Sequence, residues 1–429
     1  MMQLPPDFVQ TTRQLMGDER FERFLKALDE PSPVSIRVNR LITENLELRI
    51  ENYDYFHAQK AHETTSAESN HNSPFSILNS QFNRVPWCPT GYYLSDRPTF
   101  TFDPLLHAGC YYVQEASSMF IDCVLRQYVK EPVAMLDLCA APGGKSTAAR
   151  AALPEGSLLV SNEPIRQRAS ILLENITKWG HPDCVVTNNY PKDFRKAKTL
   201  FDVILCDVPC SGEGMFRKDP GAVSEWSLQN VEHSWRLQRE IVAEAWQCLK
   251  GGGLLIYSTC TYNIKENEEN VRWIMEELGA EVLPVATEQE WGITGSLLEG
   301  FAEPVYRFIP GFTKGEGLFM AVMKKPGEAG KSLLNSRSLK SLNVLTSPVA
   351  GITAVAAVDV DYAMAVAFLR GEALQLADTP RGIVKVTFQG QPLGYVKNIG
   401  NRANNLYPKE WRIKSTHIPK EYETILRLT

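Results

Sequence analysis

The chain has 429 residues, a formal net charge of −5 and nine cysteines. This length allows two or three domains with their own hydrophobic cores. The cysteines are scattered and include no CxxC pair, which argues against a disulfide framework and a zinc site and favours a reducing, cytoplasmic setting. There is no apolar run of about 18 residues, and no signal segment follows Met1. We therefore expect a cytoplasmic protein that has no membrane span and binds no metal.

Charge is distributed unevenly along the chain. Residues 331–429 contain 13 lysines and arginines and 7 acidic residues, whereas the preceding 330 residues contain 32 lysines and arginines and 43 acidic residues. This balance excludes a uniformly basic nucleic-acid coat and suits an acidic catalytic body with a basic tail module. A solvated basic surface would explain the same charges equally well.

The N-terminal part combines short helices with irregular chain. Apolar residues at helical spacing predict two short helices over residues 5–30, ended by Pro31 and Pro33. Residues 35–39 alternate like a strand. Residues 57–76 are polar and predict a long mobile loop, whose histidines lack a partner at metal-ligand spacing.

From Val133 onward, strands and helices alternate. The predicted strands are 133–138, 157–162, 183–187, 201–206 and 253–258, and the predicted helices are 145–152, 165–179, 227–249 and 266–278. Apolar strands that alternate with helices predict an α/β fold with a parallel, doubly wound sheet covered on both faces. Residues 305–309 and 318–324 predict a closing antiparallel pair, and short strands over 382–415 predict a small β-rich module.

Residues 134–147, AMLDLCAAPGGKST, predict a ligand-binding turn. An apolar strand ends in Asp137, and Pro142, Gly143 and Gly144 then open into a helix that starts near Lys145. A strand, a Gly-rich turn and a helix present backbone N–H groups to a ligand, although a tight turn without a ligand is the alternative. A P-loop is excluded because Cys139 stands where its first glycine is required.

The ends of the next two strands also carry polar groups. Glu163 follows the second strand, about 20 residues after the Gly-rich turn, where an acid can bind the two hydroxyls of a ribose. The alternative is that Glu163 stabilises the start of the following helix. Asn188, Asn189 and Tyr190 follow the third strand, where amide donors could face an adenine edge.

Two cysteines follow the fourth and fifth strands. Cys210 comes just after Asp207, and Cys260 follows Ser258 and Thr259. A thiolate that adds to carbon 6 of a pyrimidine turns carbon 5 into a nucleophile for a methyl group. Asp207 would hydrogen-bond ring nitrogen 3 and the exocyclic amine, and a second thiol would help remove the carbon 5 proton. Spacing alone leaves open which cysteine attacks, and the remaining strand and helix cysteines fit buried small side chains.

Four motifs in this order resemble the Nop/Sun family of S-adenosylmethionine-dependent RNA cytosine-5 methyltransferases. They are Asp137 to Ser146, Asp207 to Gly212, Ser258 to Thr261, and Gln114 to Ser118. The resemblance covers about residues 105–325. It implies that Cys260 forms the covalent adduct, that Cys210 assists product release, and that Asp207 and Lys145 belong to the catalytic set. It also implies a cofactor and target-base pocket lined by Cys139, Ala140, Ala141, Pro142, Gly143, Gly144, Lys145, Glu163 and Asp207. The sequence departs from the family at Tyr190, where an Asp is usual near the adenine.

The flanks also resemble parts of this family. Residues 33–39 are similar to its N-terminal RNA-recognition-like extension, and 393–398 with 404–412 resemble the PUA-like module of bacterial enzymes that methylate small-subunit ribosomal RNA. Basic side chains interleaved with three aromatic residues could grip phosphates and stack bases. The alternative places such aromatics in the core of a small barrel. The three are Tyr395, Tyr407 and Trp411.

Together these features predict a Rossmann-like methyltransferase sheet with an N-terminal α+β extension and a C-terminal β-rich PUA-like domain. The expected limits are 1–104, 105–325, a linker at 326–343, and 344–429. The predicted function is S-adenosylmethionine-dependent methylation of carbon 5 of a cytosine in 16S ribosomal RNA. Transfer RNA as the substrate, or a non-catalytic ribosome-assembly factor, are the alternatives. We expect a monomer that binds RNA and neither DNA nor membranes.

Overall fold

The computed structural model describes residues 2–43, 48–50, 84–328, 339–415 and 424–428. The predicted loop at 57–76 lies outside these ranges. The N-terminal helices α1 (Pro6–Met16) and α2 (Asp18–Leu28) confirm the two predicted helices. They join at Gly17, whose φ of +76° is readily adopted only by glycine.

A small antiparallel sheet follows the helix pair. Its order is β3-β1-β4, and the short α3 (Arg40–Thr43) and α4 (Pro104–His107) flank it. A separate pair joins two short strands from distant parts of the chain. The strands are β1 (Val34–Val38), β2 (Leu48–Ile50), β3 (Gly91–Leu94) and β4 (Tyr111–Val113), with β17 (Leu426–Leu428) as the partner of β2.

The predicted doubly wound sheet is confirmed. Its order along the sheet is β10-β12-β9-β8-β5-β6-β7, with β11 beside β12. The run β9-β8-β5-β6-β7 is parallel, whereas β12 is antiparallel to β9. The strands are β5 (Ala134–Asp137), β6 (Leu158–Asn162), β7 (Cys184–Thr187), β8 (Phe201–Asp207), β9 (Leu249–Thr259), β10 (Glu281–Val282), β11 (Val305–Phe308) and β12 (Leu318–Lys324).

Helices cover both faces of this sheet. Phe120 and Ala148 pack on one face, and Phe194, Val242 and Val271 pack on the other, so the strands are buried on both sides. None of the helices in the described ranges is long and apolar enough to cross a membrane. The helices are α5 (Phe120–Tyr128), α6 (Gly144–Ala152), α7 (Arg166–Trp179), α8 (Pro191–Lys196), α9 (Pro220–Glu225), α10 (Leu228–Cys248) and α11 (Glu268–Leu278).

The C-terminal region forms the predicted small β-rich module. Its sheet has the order β13-β14-β15-β16, with strands Ala356–Asp359, Gly382–Phe388, Gln391–Asn398 and Ala403–Asn405, and helix α12 spans Tyr362–Leu369. Its core continues into the N-terminal sheet, because Val366 and Phe368 belong to the same hydrophobic cluster as Ile36 and Tyr111. The two ends of the chain therefore pack as one unit.

The chain just before this module docks on the free edge of the large sheet. The Asn188 N–H donates to the Asn343 carbonyl at 2.9 Å, and the Leu345 N–H donates to the Val186 carbonyl at 2.9 Å. Leu342 is buried against the core. Residues 342–345 thus extend the sheet beyond β7.

Candidate active site

Two thiols meet where the central parallel strands end. Asp207 at the end of β8 lies in register with Ser258 near the end of β9, so the loops that follow leave the sheet at the same edge. Cys210 Sγ and Cys260 Sγ lie 3.1 Å apart. The structure thereby brings together the two cysteines that the sequence singled out.

Asp207 is held beside this thiol pair by two donors. Lys145 Nζ donates to Asp207 Oδ2 at 2.9 Å, and Ser258 Oγ donates to Asp207 Oδ1 at 2.7 Å. Burial lowers the pKa of Lys145, but the adjacent Asp207 carboxylate outweighs this and leaves the pKa above its ordinary value. The Asp207 side chain remains 28% exposed, so its oxygens can accept further bonds from a ligand.

The Gly-rich turn forms a cradle at the end of β5. Gly143 has a φ of +113° and a Cβ there would lie 3.2 Å from Leu172, so the turn requires glycine. Asp137 is fully buried, and its Oδ2 accepts from Ser146 Oγ at 2.6 Å while its Oδ1 has no partner. Burial raises the pKa of Asp137 to about 7. An unpartnered buried acceptor beside an open Gly-rich turn fits a ligand that carries a donor.

Glu163 is buried at the end of β6 and touches the start of α7. Its Oε1 accepts from the Ile165 N–H at 3.0 Å, which agrees with the helix-stabilising alternative. Its Oε2 makes no hydrogen bond, although Arg168 Nη1 lies 3.4 Å away. This second oxygen is therefore held by an ion pair instead of a hydrogen bond. Two exposed side chains, Ile165 and Tyr190, flank this edge.

The nine cysteines are all free. The pKa of the Cys210 thiol is raised well above its ordinary value, first by its hydrogen bond with Cys260 and then by burial. Burial likewise raises the pKa of Cys139 in the Gly-rich turn. The thiols interpreted as buried hydrophobes also have raised pKa values, with burial as the first cause, and they are Cys123, Cys184, Cys206 and Cys248.

The three C-terminal aromatic residues differ in their surroundings. Tyr407 is 4% exposed and its ring lies 5.3 Å from that of Phe368, so Tyr407 belongs to the module core. Tyr395 and Trp411 are half-buried, and Lys178 Nζ lies 5.8 Å from the Trp411 ring. The core alternative thus holds for Tyr407.

Sequence reasoning missed two buried carboxylates beside the thiols. Glu213 and Glu266 are at most 1% exposed and accept hydrogen bonds from the loops that carry Cys210 and Cys260. Glu266 precedes α11 within a run of acidic residues, which in sequence resembles an ordinary charged helix start. No spacing rule distinguishes such a residue from a solvated one.

Three family models match the chain in succession. Residues 51–116 match the N-terminal domain of 16S rRNA methyltransferase RsmF, 124–324 match 16S rRNA methyltransferase RsmB/F, and 355–413 match the methyltransferase RsmF PUA domain. The chain belongs to the RsmB/F family. This confirms the resemblance inferred from the four motifs, and it assigns the C-terminal module of this family member as a PUA domain.

Individual relatives agree with this assignment. A ribosomal RNA small subunit methyltransferase F from Pectobacterium atrosepticum is 34% identical over 339 residues, which cover 76% of this chain and 63% of that protein. The chain thus spans less than two thirds of the length of such relatives.

Solved structures show the same fold. A methyltransferase homologue from Pyrococcus horikoshii matches with a TM-score of 0.55 and 24% identity over 75% of this chain and all of that one. NSun6 from the same organism, solved with SFG, matches with a TM-score of 0.56 and 19% identity over 76% of this chain and 99% of its own.

Proposed function

We propose that this RsmB/F family member transfers a methyl group to carbon 5 of a cytosine in small-subunit ribosomal RNA. The observation that carries the proposal is the pair of thiols 3.1 Å apart beside an Asp207 held by Lys145. A cytosine needs this combination because carbon 5 becomes nucleophilic only after a thiolate adds to carbon 6. Relatives named ribosomal RNA small subunit methyltransferase F support the choice of RNA.

The Gly-rich turn and Glu163 fit S-adenosylmethionine, which supplies the methyl group when bound. Residues 139–145 would hold it, with backbone N–H groups at the α6 N-terminus available for its carboxylate. Asp137 Oδ1 and Glu163 Oε2 accept no hydrogen bond, although Arg168 pairs with Glu163; donors of the ligand such as its amine and its ribose hydroxyls would satisfy these oxygens. Ile165 and Tyr190, both more than half exposed, offer apolar contacts for the adenine.

The protein side chains would divide the work on the base. Cys260 Sγ would lose its proton and form a bond to carbon 6 as ring nitrogen 3 gains a proton, and Asp207 would accept from that N–H and from the exocyclic amine. After methyl transfer, Cys210 would first lose its own proton to solvent and would then, as a thiolate, take the proton from carbon 5. The electrons of that C–H bond would restore the double bond and expel the Cys260 thiolate. The raised pKa of Cys210 supports Cys260 as the attacking thiol, because a thiol of higher pKa is less available as a nucleophile.

The target cytosine must leave its base stack, because carbon 6 is inaccessible within a helix. We propose that the N-terminal extension (1–104) and the PUA module (344–429), joined through 326–343 to the catalytic part (105–325), hold the RNA around it. The basic balance from residue 331 onward supports phosphate contacts. We expect the protein to act as a cytoplasmic monomer and to bind neither DNA nor membranes.

The proposal is tested by incubating the protein with labelled S-adenosylmethionine and small ribosomal subunits that lack modifications, and then mapping the labelled base. We expect label at carbon 5 of a cytosine. Cys260→Ala should abolish transfer, whereas Cys210→Ala should accumulate a covalent protein–RNA adduct because the release step fails. Full transfer by Cys260→Ala would overturn the mechanism, and label found only in transfer RNA would overturn the substrate.

A further inference from the structure

Each cysteine loop contains a buried glutamate a few residues after its thiol. Glu213 follows Cys210 by three residues, and Glu266 follows Cys260 by six. Both are at most 1% exposed. A buried carboxylate is unfavourable unless its oxygens accept several hydrogen bonds, so the partners of these two residues indicate what they do.

Glu266 binds the loop that carries the other cysteine. Its Oε2 accepts from the Ser211 N–H at 3.1 Å, and its Oε1 accepts from Ser211 Oγ at 2.5 Å. Ser211 is the residue directly after Cys210. Gln238 Nε2 donates to Glu266 at 2.6 Å and also to the Pro209 carbonyl at 2.9 Å, so it secures the residue on the other side of Cys210.

Glu213 makes the converse connection. Its Oε2 accepts from the N–H groups of Tyr262 and Asn263 at 2.5 and 3.0 Å, and these residues lie just after Cys260. Its Oε1 accepts from Trp226 Nε1 at 3.0 Å. The carboxylate of the Cys210 loop therefore fixes the backbone of the Cys260 loop.

Two further contacts join the loops directly. Asn263 Nδ2 donates to Glu213 at 2.8 Å and to Glu266 at 2.9 Å, which links the two carboxylates through one amide. The Gly214 N–H donates to the Cys260 carbonyl at 2.7 Å, and a Cβ at Gly214 would approach that oxygen to 2.8 Å. Only a glycine allows this approach without displacing the backbone.

We propose that Glu213 and Glu266 form a crossed clamp, in which each glutamate positions the thiol of the opposite loop and the two together set the distance between Cys210 and Cys260. They are positioning residues, since neither is placed to touch the base. The inference rests on the proposed function for its use, because a carbon 6 nucleophile and a carbon 5 base must act on neighbouring atoms of one ring.

The chemistry of the clamp explains why carboxylates occupy these positions. Glu266 accepts four hydrogen bonds, more than a single amide oxygen can accept with good geometry. Burial, followed by repulsion from Glu213, raises the pKa of Glu266 to about 7. Two buried carboxyl groups so close together destabilise the folded protein electrostatically. Starting the helix that follows Glu266 would not require this arrangement.

The clamp is tested on the full chain without RNA or cofactor, by bridging the two thiols with dibromobimane. Each thiol displaces one bromide, and only thiols held close together give the bridged product. We expect Glu266→Gln and Glu213→Gln to lower the bridging rate about tenfold, in line with loss of charge-assisted hydrogen bonds. The rate of single labelling by monobromobimane should fall less, because this reaction does not require the two thiols to lie close together.

Controls separate positioning from folding. Asp122→Asn also converts a buried carboxylate to an amide, but Asp122 lies in α5 and pairs with Arg126, so its bridging rate should match the wild type. Ser211→Ala removes only the hydroxyl contact and should give an intermediate loss. Unchanged bridging in Ser211→Ala and in both folded glutamate variants would overturn the clamp.

The readout also separates this inference from the proposed function. If the wild type bridges readily and fails to methylate RNA, the function is wrong while the clamp stands. If the wild type methylates RNA, each glutamate substitution should lower kcat by at least the factor by which it lowers the bridging rate. It should leave the dissociation constant for S-adenosylmethionine unchanged. A change confined to cofactor affinity would contradict the positioning role.

Discussion

The Asp207 carboxylate, to which we assign a role on the base, is oriented by two neighbouring side chains. Lys145 and Ser258 each occupy one oxygen and fix the carboxylate plane at the sheet edge. Such preorganised groups account for a large share of catalysis because they need no rearrangement when charge develops. The side chain itself was identifiable from sequence, since it follows an apolar strand and precedes Pro209 and Cys210. Its two donors could be assigned only once the strand register was known.

We therefore predict that Asp207→Asn lowers kcat for methyl transfer by about 10²- to 10³-fold, as loss of one preorganised group does elsewhere. Asp202→Asn is the matched control, because Asp202 pairs with Lys250 at the opposite end of the same strand. Single-turnover kinetics with both variants would check this. Equal losses in the two variants would mean that strand stability, and not the site, is affected.

Asp137 gives the protein a pH-dependent stability. Its folded pKa of about 7 lies above the ordinary value of 3.8, so the folded state binds the proton more tightly than the unfolded state. Stability from this group is then full at low pH, falls as the pH rises from about 4 to 7, and is constant above that. Glu266 acts in the same direction, with a pKa raised from 4.5 to about 7.

Asp137→Asn should reduce this dependence by an amount on the order of a few kcal/mol. The measurement is the free energy of unfolding by chemical denaturation at about pH 5 and about pH 7.5. The wild type should be more stable at the lower of these values, and the variant should show a smaller difference. An unchanged difference would mean that the Asp137 carboxyl titrates normally.

At the scale of elements, the spacing of apolar residues predicted the strands and helices whose side chains are buried in the core. β5, β6 and β8 were identifiable because strands covered on both faces are continuously apolar, and α10 and α11 because their apolar residues recur at helical spacing. The docking of residues 342–345 was not, because the preceding Pro-, Gly-, Lys- and Ser-containing run reads as a linker. Two of the contacts that dock it join backbone to backbone, and such contacts leave no trace in residue type.

This docked segment should stabilise the edge of the sheet near Glu163, where we propose that the cofactor binds. The Asn343 N–H donates to Asn189 Oδ1 at 3.0 Å, and Asn162 Nδ2 donates to the Asn189 carbonyl at 2.9 Å. We predict that Asn343→Pro, which removes this N–H, weakens S-adenosylmethionine binding about three- to tenfold, since a hydrogen bond contributes about 1 kcal/mol. Isothermal titration calorimetry without RNA would measure it.

Asn343→Ala serves as the control because it keeps the backbone donor. Its affinity should stay within about twofold of the wild type, since the side-chain contact to the Asn188 carbonyl is long at 3.3 Å and exposed. Equal weakening by both substitutions would assign the effect to the side chain instead of the docked backbone.

At the scale of the whole molecule, the two ends of the chain share a core. Phe368 in α12 is fully buried in the cluster that also contains Ile36 and Phe100 from the N-terminal part. Sequence reasoning treated these parts as separate domains joined by the catalytic sheet, and their limits stay a prediction. It could not foresee the shared core, because contacts between segments more than 300 residues apart leave no local pattern.

We predict that Phe368→Ala destabilises the protein by about 3–5 kcal/mol and that the loss extends to the N-terminal sheet. Hydrogen exchange should show reduced protection in β1 as well as in β14 and β15. Leu406→Ala, at a position 37% exposed, should change stability by no more than about 0.5 kcal/mol. Undiminished protection in β1 would show that the ends unfold independently.

The docked segment also has a thermodynamic consequence. Residues 343–345 lie where the PUA module begins, and they also complete the sheet edge at which Asn188 Nδ2 donates to the Glu163 carbonyl at 2.7 Å. A ligand of the module that binds the docked state more tightly than the undocked state favours docking by its difference in binding free energy. Linkage is reciprocal, so a bound cofactor would alter the affinity of the module for its ligand by an equal factor. The docked segment at the sheet edge thus makes the coupling between the two ligands a measurable property of the fold.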